Sequence, residues 1–190
     1  LKAEFKDELP YRAVEVYGTE ADDVICVLSL AVSVDEPVLI YSADKDFLQL
    51  QEKRTNHPIK QYSKRDRAFI TFDDRELTAL EHVIGGDSSD GIPNIWSDDD
   101  VFMPNDKKSK PFTKKMKQTL ASLGWDNVHH IFKNETEMQR YKRNCELILF
   151  ENIPKEYRRA VVEEYQTQRE KTIPPILNYA MKHRVMDILG

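Results

Sequence analysis

Residues 38–50 read Val-Leu-Ile-Tyr-Ser-Ala-Asp-Lys-Asp-Phe-Leu-Gln-Leu, and this stretch decides the fold class of the chain. The apolar run 38–41 predicts a short buried strand, because a parallel sheet buries both faces of its strands. Asp44 and Asp46 follow directly, and the apolar residues up to Leu50 predict a helix after them. The stretch therefore predicts one strand–acid–helix step of an α/β fold.

The residues before and after this stretch extend the same order. Residues 13–17 alternate between apolar and polar side chains, which predicts a strand. Residues 20–32 predict a helix with Thr19 as its cap. Strand, helix, strand and helix in this order predict a βαβ unit with a parallel sheet. Residues 59–62 and 68–71 predict a last strand or a hairpin.

After residue 71 the pattern becomes helical. The apolar spacing predicts helices near residues 73–84, 112–123, 135–149, 155–169 and 174–188. Asp73 or Asp74 would cap the first of these helices. We therefore expect two domains, an α/β part at residues 1–71 and an all-helical part at residues 72–190.

The composition excludes several classes of protein. The chain has 190 residues, of which 40% are hydrophobic and 32% charged, and this is a globular composition. No apolar run approaches the roughly 18 residues of a membrane-spanning helix, and the first residues lack the apolar core of a signal peptide. Cys26 and Cys145 are too few for a disulfide framework or a Cys-based zinc site. We expect reduced thiols, no membrane contact and a cytoplasmic location.

Charge is divided unevenly along the chain. Residues 1–99 carry 21 acidic and 11 basic residues, whereas residues 100–190 carry 12 acidic and 17 basic residues. Six of the basic residues form one lysine segment: Lys107, Lys108, Lys110, Lys114, Lys115 and Lys117. This division is typical of a protein that gathers metal ions in one place and phosphates in another. A solvated surface with uneven charge is the commoner explanation of such blocks.

Two acidic clusters each follow a predicted strand. They are Glu20-Ala21-Asp22-Asp23 and Asp44-Lys45-Asp46. Because the carboxyl ends of parallel strands share one edge of a sheet, up to five carboxylates can converge there. Such a group repels itself unless divalent cations neutralise it. An all-oxygen ligand set without a nearby His or Cys favours Mg²⁺, Mn²⁺ or Ca²⁺ over zinc, and Mg²⁺ foremost. Each cluster alone is equally well explained as helix capping.

A third acidic segment lies in the glycine-rich stretch 85–95. Asp87 and Asp90 are separated by two residues, so one turn can aim both side chains the same way. The glycines allow backbone geometry that is closed to other residues, and exposed amides in such a turn can hold a DNA phosphate. A generic turn of Gly, Asp and Pro is the plain alternative.

Taken in this order, the three clusters resemble the 5′ nucleases, which include flap endonucleases and the 5′-nuclease domains of bacterial DNA polymerases. The matching segments are 20–23, 42–50 and 86–93, and residues 140–154 add a similarity to the ribonuclease H of T-even-type bacteriophages. The resemblance covers only the later part of the family's protein. It implies a parallel-sheet, PIN-like nuclease core that is incomplete at its N-terminus. An all-helical DNA-binding domain with a helix-hairpin-helix-like element would follow.

The resemblance also implies roles for the acids. Glu20, Asp22 and Asp23 would serve a first metal ion. Asp44, Asp46 and Asp90 would serve a second, with Asp87 nearby or bound through water. Within these sets, the residues implied as catalytic are Glu20, Asp22, Asp44 and Asp46. Two Mg²⁺ ions roughly 4 Å apart, or Mn²⁺ in their place, would activate water and stabilise charge during phosphodiester hydrolysis.

The same resemblance implies how nucleic acid is bound. The turn residues implied are Gly85, Gly86, Ser88, Ser89, Gly91 and Ile92, with a K⁺ ion on their backbone carbonyls. The lysine segment would contact the duplex backbone. The implied substrates are duplex DNA with a 5′ flap or 5′ overhang and RNA–DNA hybrids, including primers in phage replication. A single-stranded-DNA-binding protein would be a partner of a monomeric enzyme in the bacterial host cell.

Two other functions stay open. The family's strand that carries another metal-binding Asp has no counterpart in this sequence, so we expect the isolated chain to lack part of the first metal site. A duplex-binding module without catalysis, or an inactive fragment that needs its upstream half, fits the same residues. A calcium-regulated interaction protein would use the same acids, but the basic helical half argues against it.

Overall fold

The structure is a computed structural model that describes residue 6 and residues 11–51, 55–71, 75–104, 107–169 and 176–184. Its helices and strands are, in chain order, α1 (Ala21–Val32), β1 (Val38–Tyr41), a 3₁₀ helix (Lys45–Leu50), β2 (Ile59–Ser63), β3 (Ala68–Ile70), α2 (Arg75–Gly85), α3 (Lys114–Leu123), a 3₁₀ helix (Val128–Ile131), α4 (Glu135–Ile148), a 3₁₀ turn (Phe150–Asn152), α5 (Lys155–Arg169) and α6 (Ile176–His183). The predicted α/β class is confirmed.

The chain divides into two compact units. The terminal unit comprises residues 1–32 and 154–190, and the central unit comprises residues 33–153. The predicted domain boundary near residue 71 stays a prediction. None of the described helices is long and apolar enough to cross a membrane.

In the terminal unit, α1 packs against α5. The predicted strand at residues 13–17 is wrong, because these described residues form no strand. Instead, the side-chain amide of Gln168 donates to the carbonyl oxygen of Ala13 and accepts from its N–H, both at 2.9 Å. A buried glutamine side chain thus supplies the hydrogen bonds that a neighbouring strand would have supplied.

The sheet lies in the central unit and has three strands in the order β1-β2-β3. β1 and β2 are parallel, with Val38 opposite Ile59, and β2 and β3 are antiparallel, with Ser63 opposite Ala68. The predicted strand 38–41 and the hairpin after it are confirmed, but the sheet is mixed rather than parallel throughout. The prediction that β1 is buried on both faces is wrong, because the side chains of Leu39 and Tyr41 are exposed.

A polar clamp fixes the segment after β1. The helix predicted there is a 3₁₀ helix, whose apolar side chains Phe47, Leu48 and Leu50 are buried. The side chain of Gln49 donates to the carbonyl of Ile148 at 3.0 Å and accepts from the N–H of Phe150 at 3.2 Å. The end of α4 therefore holds the acidic stretch at the end of β1 in place.

The helical part of the central unit is built on α2. Its side chains Leu80, Val83 and Ile84 are completely buried. Leu80 and Ile84 pack in an apolar core whose other members include Ile95, Leu120 and Val128. The predicted caps of α2, Asp73 and Asp74, lie outside the described residues. Thr113 caps α3, because its hydroxyl accepts from the N–H of Met116 at 3.3 Å.

One buried side chain joins α4 to both ends of the turn after α2. The amide of Asn144 is completely buried and donates to the carbonyls of Val83 and Pro93, each at 2.9 Å. Its oxygen accepts from the guanidinium of Arg143 at 3.0 and 3.1 Å. Because two segments depend on this one amide, Asn144 sets the position of the turn between them.

Candidate metal centre and nucleic-acid interface

The end of β1 places two carboxylates at the start of the 3₁₀ helix. Asp44 caps this helix, since its Oδ1 accepts from the N–H of Asp46 at 3.1 Å. The side-chain amide of Gln61, on β2, donates to the backbone carbonyls of Ser42 and Asp44. These bonds tie the loop at residues 42–44 to β2. Asp44 therefore acts as a helix cap, and this hydrogen bond holds its side chain at the start of the 3₁₀ helix.

A histidine joins two of the predicted acids. The Nδ1 atom of His82 lies 2.9 Å from Oδ1 of Asp46, and its Nε2 atom lies 3.0 Å from Oδ2 of Asp87. One ligand atom from each of the three residues can be chosen so that all lie within 4.8 Å of one another. The expectation that no histidine lies near the acids is therefore wrong at this place, and the predicted all-oxygen ligand set stays a prediction.

These three side chains face a cleft of about 450 Å³ in the central unit. Asp44 also lines it, and Lys45 and Arg65 bring positive charge to its wall. The side chains of Asp46, His82 and Asp87 are 16–25% exposed, so a solute in the cleft can reach them. The cleft combines hard oxygen ligands with cationic groups, which suits a cation and a phosphate side by side.

The electrostatics of the cluster are dominated by the histidine. The hydrogen bond with Asp46 raises the pKa of His82 above its ordinary value of 6.5; burial opposes this, and Asp87 adds to it. Burial also raises the pKa of Asp87, but hydrogen bonds from Ser89 and His82 outweigh it, so this pKa is lowered overall. In the metal-free protein, His82 therefore holds a proton more firmly than a free histidine does.

Asp90 is exposed and is not among the residues that line the cleft. Burial, followed by the charges of Asp87, Asp46 and Asp44, raises the pKa of this carboxyl. Of the predicted metal residues, the structure brings Asp46 and Asp87 together at His82 and places Asp44 on the wall of the same cleft. The share of Asp90 in a metal site stays a prediction.

The first acidic cluster lies in the terminal unit, at the start of α1. Oδ2 of Asp23 accepts from the N–H of Glu20 at 3.2 Å, and Oδ1 of Asp22 accepts from the N–H of Asp23 at 3.0 Å. These acids thus satisfy N–H groups at the helix start, as the capping explanation required. Their predicted share in the metal site stays a prediction.

The glycine-rich turn is tightly closed around Asp87. Oδ1 of Asp87 accepts from the N–H of Ser89 at 2.8 Å and from its hydroxyl, and the N–H of Ile92 donates to the carbonyl of Asp87 at 2.6 Å. Gly86 has a φ of 69°, and a Cβ atom there would lie 2.3 Å from the carbonyl oxygen of Ile92. Glycine is therefore required at this position.

The rest of the turn faces solvent. Ser88, Ser89 and Gly91 are exposed, whereas Gly85 and Ile92 are half-buried. Gly85 packs tightly, because a Cβ atom there would lie 2.8 Å from Cδ1 of Phe112. The contact of these five residues and of Gly86 with nucleic acid stays a prediction.

The lysine segment is divided by its ion pairs. Lys107 contacts Asp100 at 2.7 Å, and Lys117 contacts Glu81 at 2.6 Å. The exposed members without an ion pair in the described part of the chain are Lys108, Lys110, Lys114 and Lys115. Contact of these four lysines with the duplex backbone stays a prediction.

The acidic triplet Asp98-Asp99-Asp100 is occupied by basic side chains. Asp98 lies 3.4 Å from Lys107, and Asp99 contacts Arg143 at 2.6 Å and Arg140 at 3.1 Å. The hydrogen bond from Arg143 lowers the pKa of Asp99. The triplet therefore binds cationic side chains of the same chain.

His82 is the residue that sequence analysis missed. It lies in the last turn of α2, five residues before Asp87 and far along the chain from Asp46. The available signal was a lone histidine one helical turn before the glycine pair. A histidine at such a position is as often structural as functional, and only the folded geometry separates the two.

Comparison with known proteins agrees with the geometry. A model of the family described as "T4 RNase H, C terminal" matches residues 73–189. Ribonuclease H of Enterobacteria phage T4 is 26% identical over 182 residues, which are 94% of this chain and 59% of that protein. The chain thus spans about three fifths of the curated relative that it matches.

Solved structures of phage T5 proteins share the fold. A T5 protein co-crystallised with metal ions has a TM-score of 0.57 at 17% identity, over 85% of this chain and 64% of its own. The T5 flap endonuclease in a pseudo-enzyme–product complex with DNA and metal ions has a TM-score of 0.54 at 15% identity, over 82% and 62%. Since the family match spans more than half of the chain, this protein belongs to the family of the C-terminal part of T4 ribonuclease H.

Proposed function

We propose that this chain is the metal-binding and duplex-binding part of a divalent-metal-dependent 5′ nuclease. The observation that carries the proposal is the cleft where Asp46, His82 and Asp87 meet, next to the closed turn of the matched family segment. The reaction would be hydrolysis of phosphodiesters at 5′ ends or flaps of duplex DNA and RNA–DNA hybrids, as in primer removal during phage replication.

Two acids that line the cleft, Asp44 and Asp46, are suitable ligands for a divalent cation. Together with Asp90 of the glycine-rich turn they would hold one ion, and Glu20, Asp22 and Asp23 of the terminal unit would hold a second; Mg²⁺ is the proposed metal, with Mn²⁺ able to replace it. Such ions supply water activation and stabilisation of charge on the phosphate. Among this chain's residues, Lys45 and Arg65 line the cleft and would neutralise and orient the phosphodiester.

The basic surface gives the second half of the proposal. Four exposed lysines lie in the segment that the family model matches, as the glycine-rich turn also does: Lys108, Lys110, Lys114 and Lys115. These lysines would contact the duplex backbone. The paired residues Lys107 and Lys117 would add to this surface by exchanging partners. A K⁺ ion on the turn's carbonyls and a single-stranded-DNA-binding protein as partner belong to the same proposal, as does a monomer acting in the host cytoplasm.

The two proposed roles divide at the domain boundary that the sequence predicts near residue 71. We propose that residues 1–71 belong to the nuclease core and residues 72–190 to the duplex-binding domain. The family match supports this division, because it begins at residue 73.

A second candidate function is duplex binding without cleavage. It is favoured by one observation: the chain spans 59% of the length of T4 ribonuclease H. The two candidates differ in one measurable property, which is cleavage of a duplex that the protein binds in the presence of a divalent metal.

The test is a cleavage assay on a labelled 5′-flap duplex with Mg²⁺, with Mn²⁺ and with EDTA. It is run with this chain and, in parallel, with an added polypeptide that supplies the rest of the family's nuclease core. We expect metal-dependent cleavage that Asp46→Asn lowers about 100-fold or more. Asp126→Asn is the matched control, because Asp126 is an exposed acid of the central unit away from the cleft. Duplex binding without cleavage in every mixture would establish the second candidate instead.

A further inference from the structure

His82 lies between two acids that the sequence predicted as metal residues. It lines the cleft, and within the described residues its ring nitrogens lie 2.9 Å from Asp46 and 3.0 Å from Asp87. A quarter of its side-chain surface is exposed, so a solute in the cleft can reach the ring. The two acids differ in their other contacts, and this difference separates their roles.

Asp87 is saturated with hydrogen bonds. Its Oδ1 accepts from both the N–H and the hydroxyl of Ser89, and its Oδ2 lies 3.0 Å from Nε2 of His82. A carboxylate held in this way orients a ring and fixes its tautomer. Metal-binding histidines usually donate their second N–H to such a carboxylate. When Nε2–H donates to Asp87, Nδ1 is the nitrogen that is left to bind a cation.

Asp46 has the opposite character. In the described part of the chain, the carboxylate of Asp46 contacts only His82, with 2.9 Å between Oδ1 and Nδ1. Two ligand atoms bound at right angles to one cation, each at roughly 2.1 Å, lie about 3 Å apart. The observed separation is that of a hydrogen bond between Nδ1 and Oδ1, and it is also close to the distance between two ligands of one cation, so a divalent cation can take the place of the shared proton.

We propose that Nδ1 of His82 and the carboxylate of Asp46 bind the same divalent cation, with Asp87 orienting the ring, and that this nitrogen makes the site prefer Mn²⁺ to Mg²⁺. Imidazole nitrogen stabilises transition metals, whereas Mg²⁺ favours oxygen ligands and water. This inference rests on the proposed function, because it concerns the same metal site. It departs from the all-oxygen set that the sequence predicted.

The experiment is Mn²⁺ titration of the full chain, followed by the EPR signal of free Mn²⁺ and by pulsed EPR of the bound ion. We expect nitrogen hyperfine modulation from a directly bound imidazole, and an Mn²⁺ affinity at least about 10-fold above that for Mg²⁺ measured by competition. His82→Gln should abolish the modulation and weaken Mn²⁺ binding about 10- to 100-fold, with a smaller effect on Mg²⁺. Asp87→Asn should keep the modulation while lowering Mn²⁺ affinity, because the ring loses its charged partner.

The control is His129→Gln, which changes an exposed histidine of the central unit and should leave both readouts unchanged. Mn²⁺ that binds to the wild-type chain without nitrogen modulation would overturn the inference and leave the proposed metal site standing. Absence of any Mn²⁺ or Mg²⁺ binding would overturn both. Because the wild-type spectrum alone decides whether nitrogen is bound, the test does not depend on the folding of a variant.

Discussion

Replacement of Asn144 by alanine tests whether one buried amide holds the turn that carries Asp87. The amide donates at 2.9 Å to the carbonyls of Val83 and Pro93, so its removal takes the side-chain partner from Val83 and leaves Pro93 with only a 3.5 Å contact from Arg143. A buried group without a partner costs about 1–3 kcal/mol and a weakened bond up to about 1 kcal/mol, which together give a loss of about 1–4 kcal/mol in the free energy of unfolding. The side chain is completely buried, so water does not replace it without local opening.

The assay is urea unfolding followed by tryptophan fluorescence. The chain has two tryptophans, Trp96 and Trp125, and both lie in the central unit, so the signal reports on the unit that contains Asn144. Asn127→Ala is the matched control, because Asn127 is exposed and makes a weaker bond of 3.3 Å to Leu123; we expect a change within about 0.5 kcal/mol. A loss below about 1 kcal/mol for Asn144→Ala would refute the reasoning.

Three further predictions follow from the site. Gly86→Ala should lower the free energy of unfolding by roughly 2–5 kcal/mol, because the positive φ and the 2.3 Å approach to a backbone oxygen add together; urea unfolding measures it. Replacing Lys114 and Lys115 by alanine should make the slope of log duplex affinity against log salt concentration less steep by about 2, because two phosphate contacts are lost. In EDTA, stability linked to His82 should be fully present below pH 6.5 and lost as pH rises through its higher folded-state pKa, and His82→Gln should remove this component.

The first two of these predictions have control variants in the central unit, and the third has a refuting outcome. Gly91→Ala keeps the positive φ penalty but meets no atom within 4 Å, so it should cost about 1–2 kcal/mol only. Lys60→Ala with Lys142→Ala removes two exposed lysines outside the lysine segment and should leave the salt slope unchanged. The pH prediction fails if the wild-type chain and His82→Gln lose stability in parallel between pH 6 and pH 9.

Much of the local fold could be predicted because it depends on neighbours in sequence. The strand 38–41, the hairpin after it and the helix at residues 21–32 are set by apolar spacing and turn residues, and all three are present. Residues 13–17 show the limit of such patterns. Alternation predicts an extended chain, but a strand also needs a hydrogen-bonding partner, and here the side chain of Gln168 takes that place.

The candidate site was predictable only in part. Asp44, Asp46 and Asp87 are visible in the sequence because acids follow a strand or a glycine pair, and the structure places all three at one cleft, whereas the share of Asp90 stays a prediction. His82 was not predictable, since its meeting with Asp46 depends on how α2 packs beside the 3₁₀ helix. Likewise, no count of charges along the chain separates Lys107, which pairs with Asp100, from Lys108, which has no ion pair among the described residues.

The triplet at residues 98–100 has a consequence for how a polyanion meets this protein. Its carboxylates act as built-in counterions for Arg140, Arg143 and Lys107, so these three cations contribute little to the long-range field. Between residues 98 and 117, the positive charge without a described ion-pair partner then lies on the stretch from Lys108 to Lys115. Under the proposed function, a short patch of this kind would fix the orientation in which a duplex approaches more narrowly than evenly spread charge would.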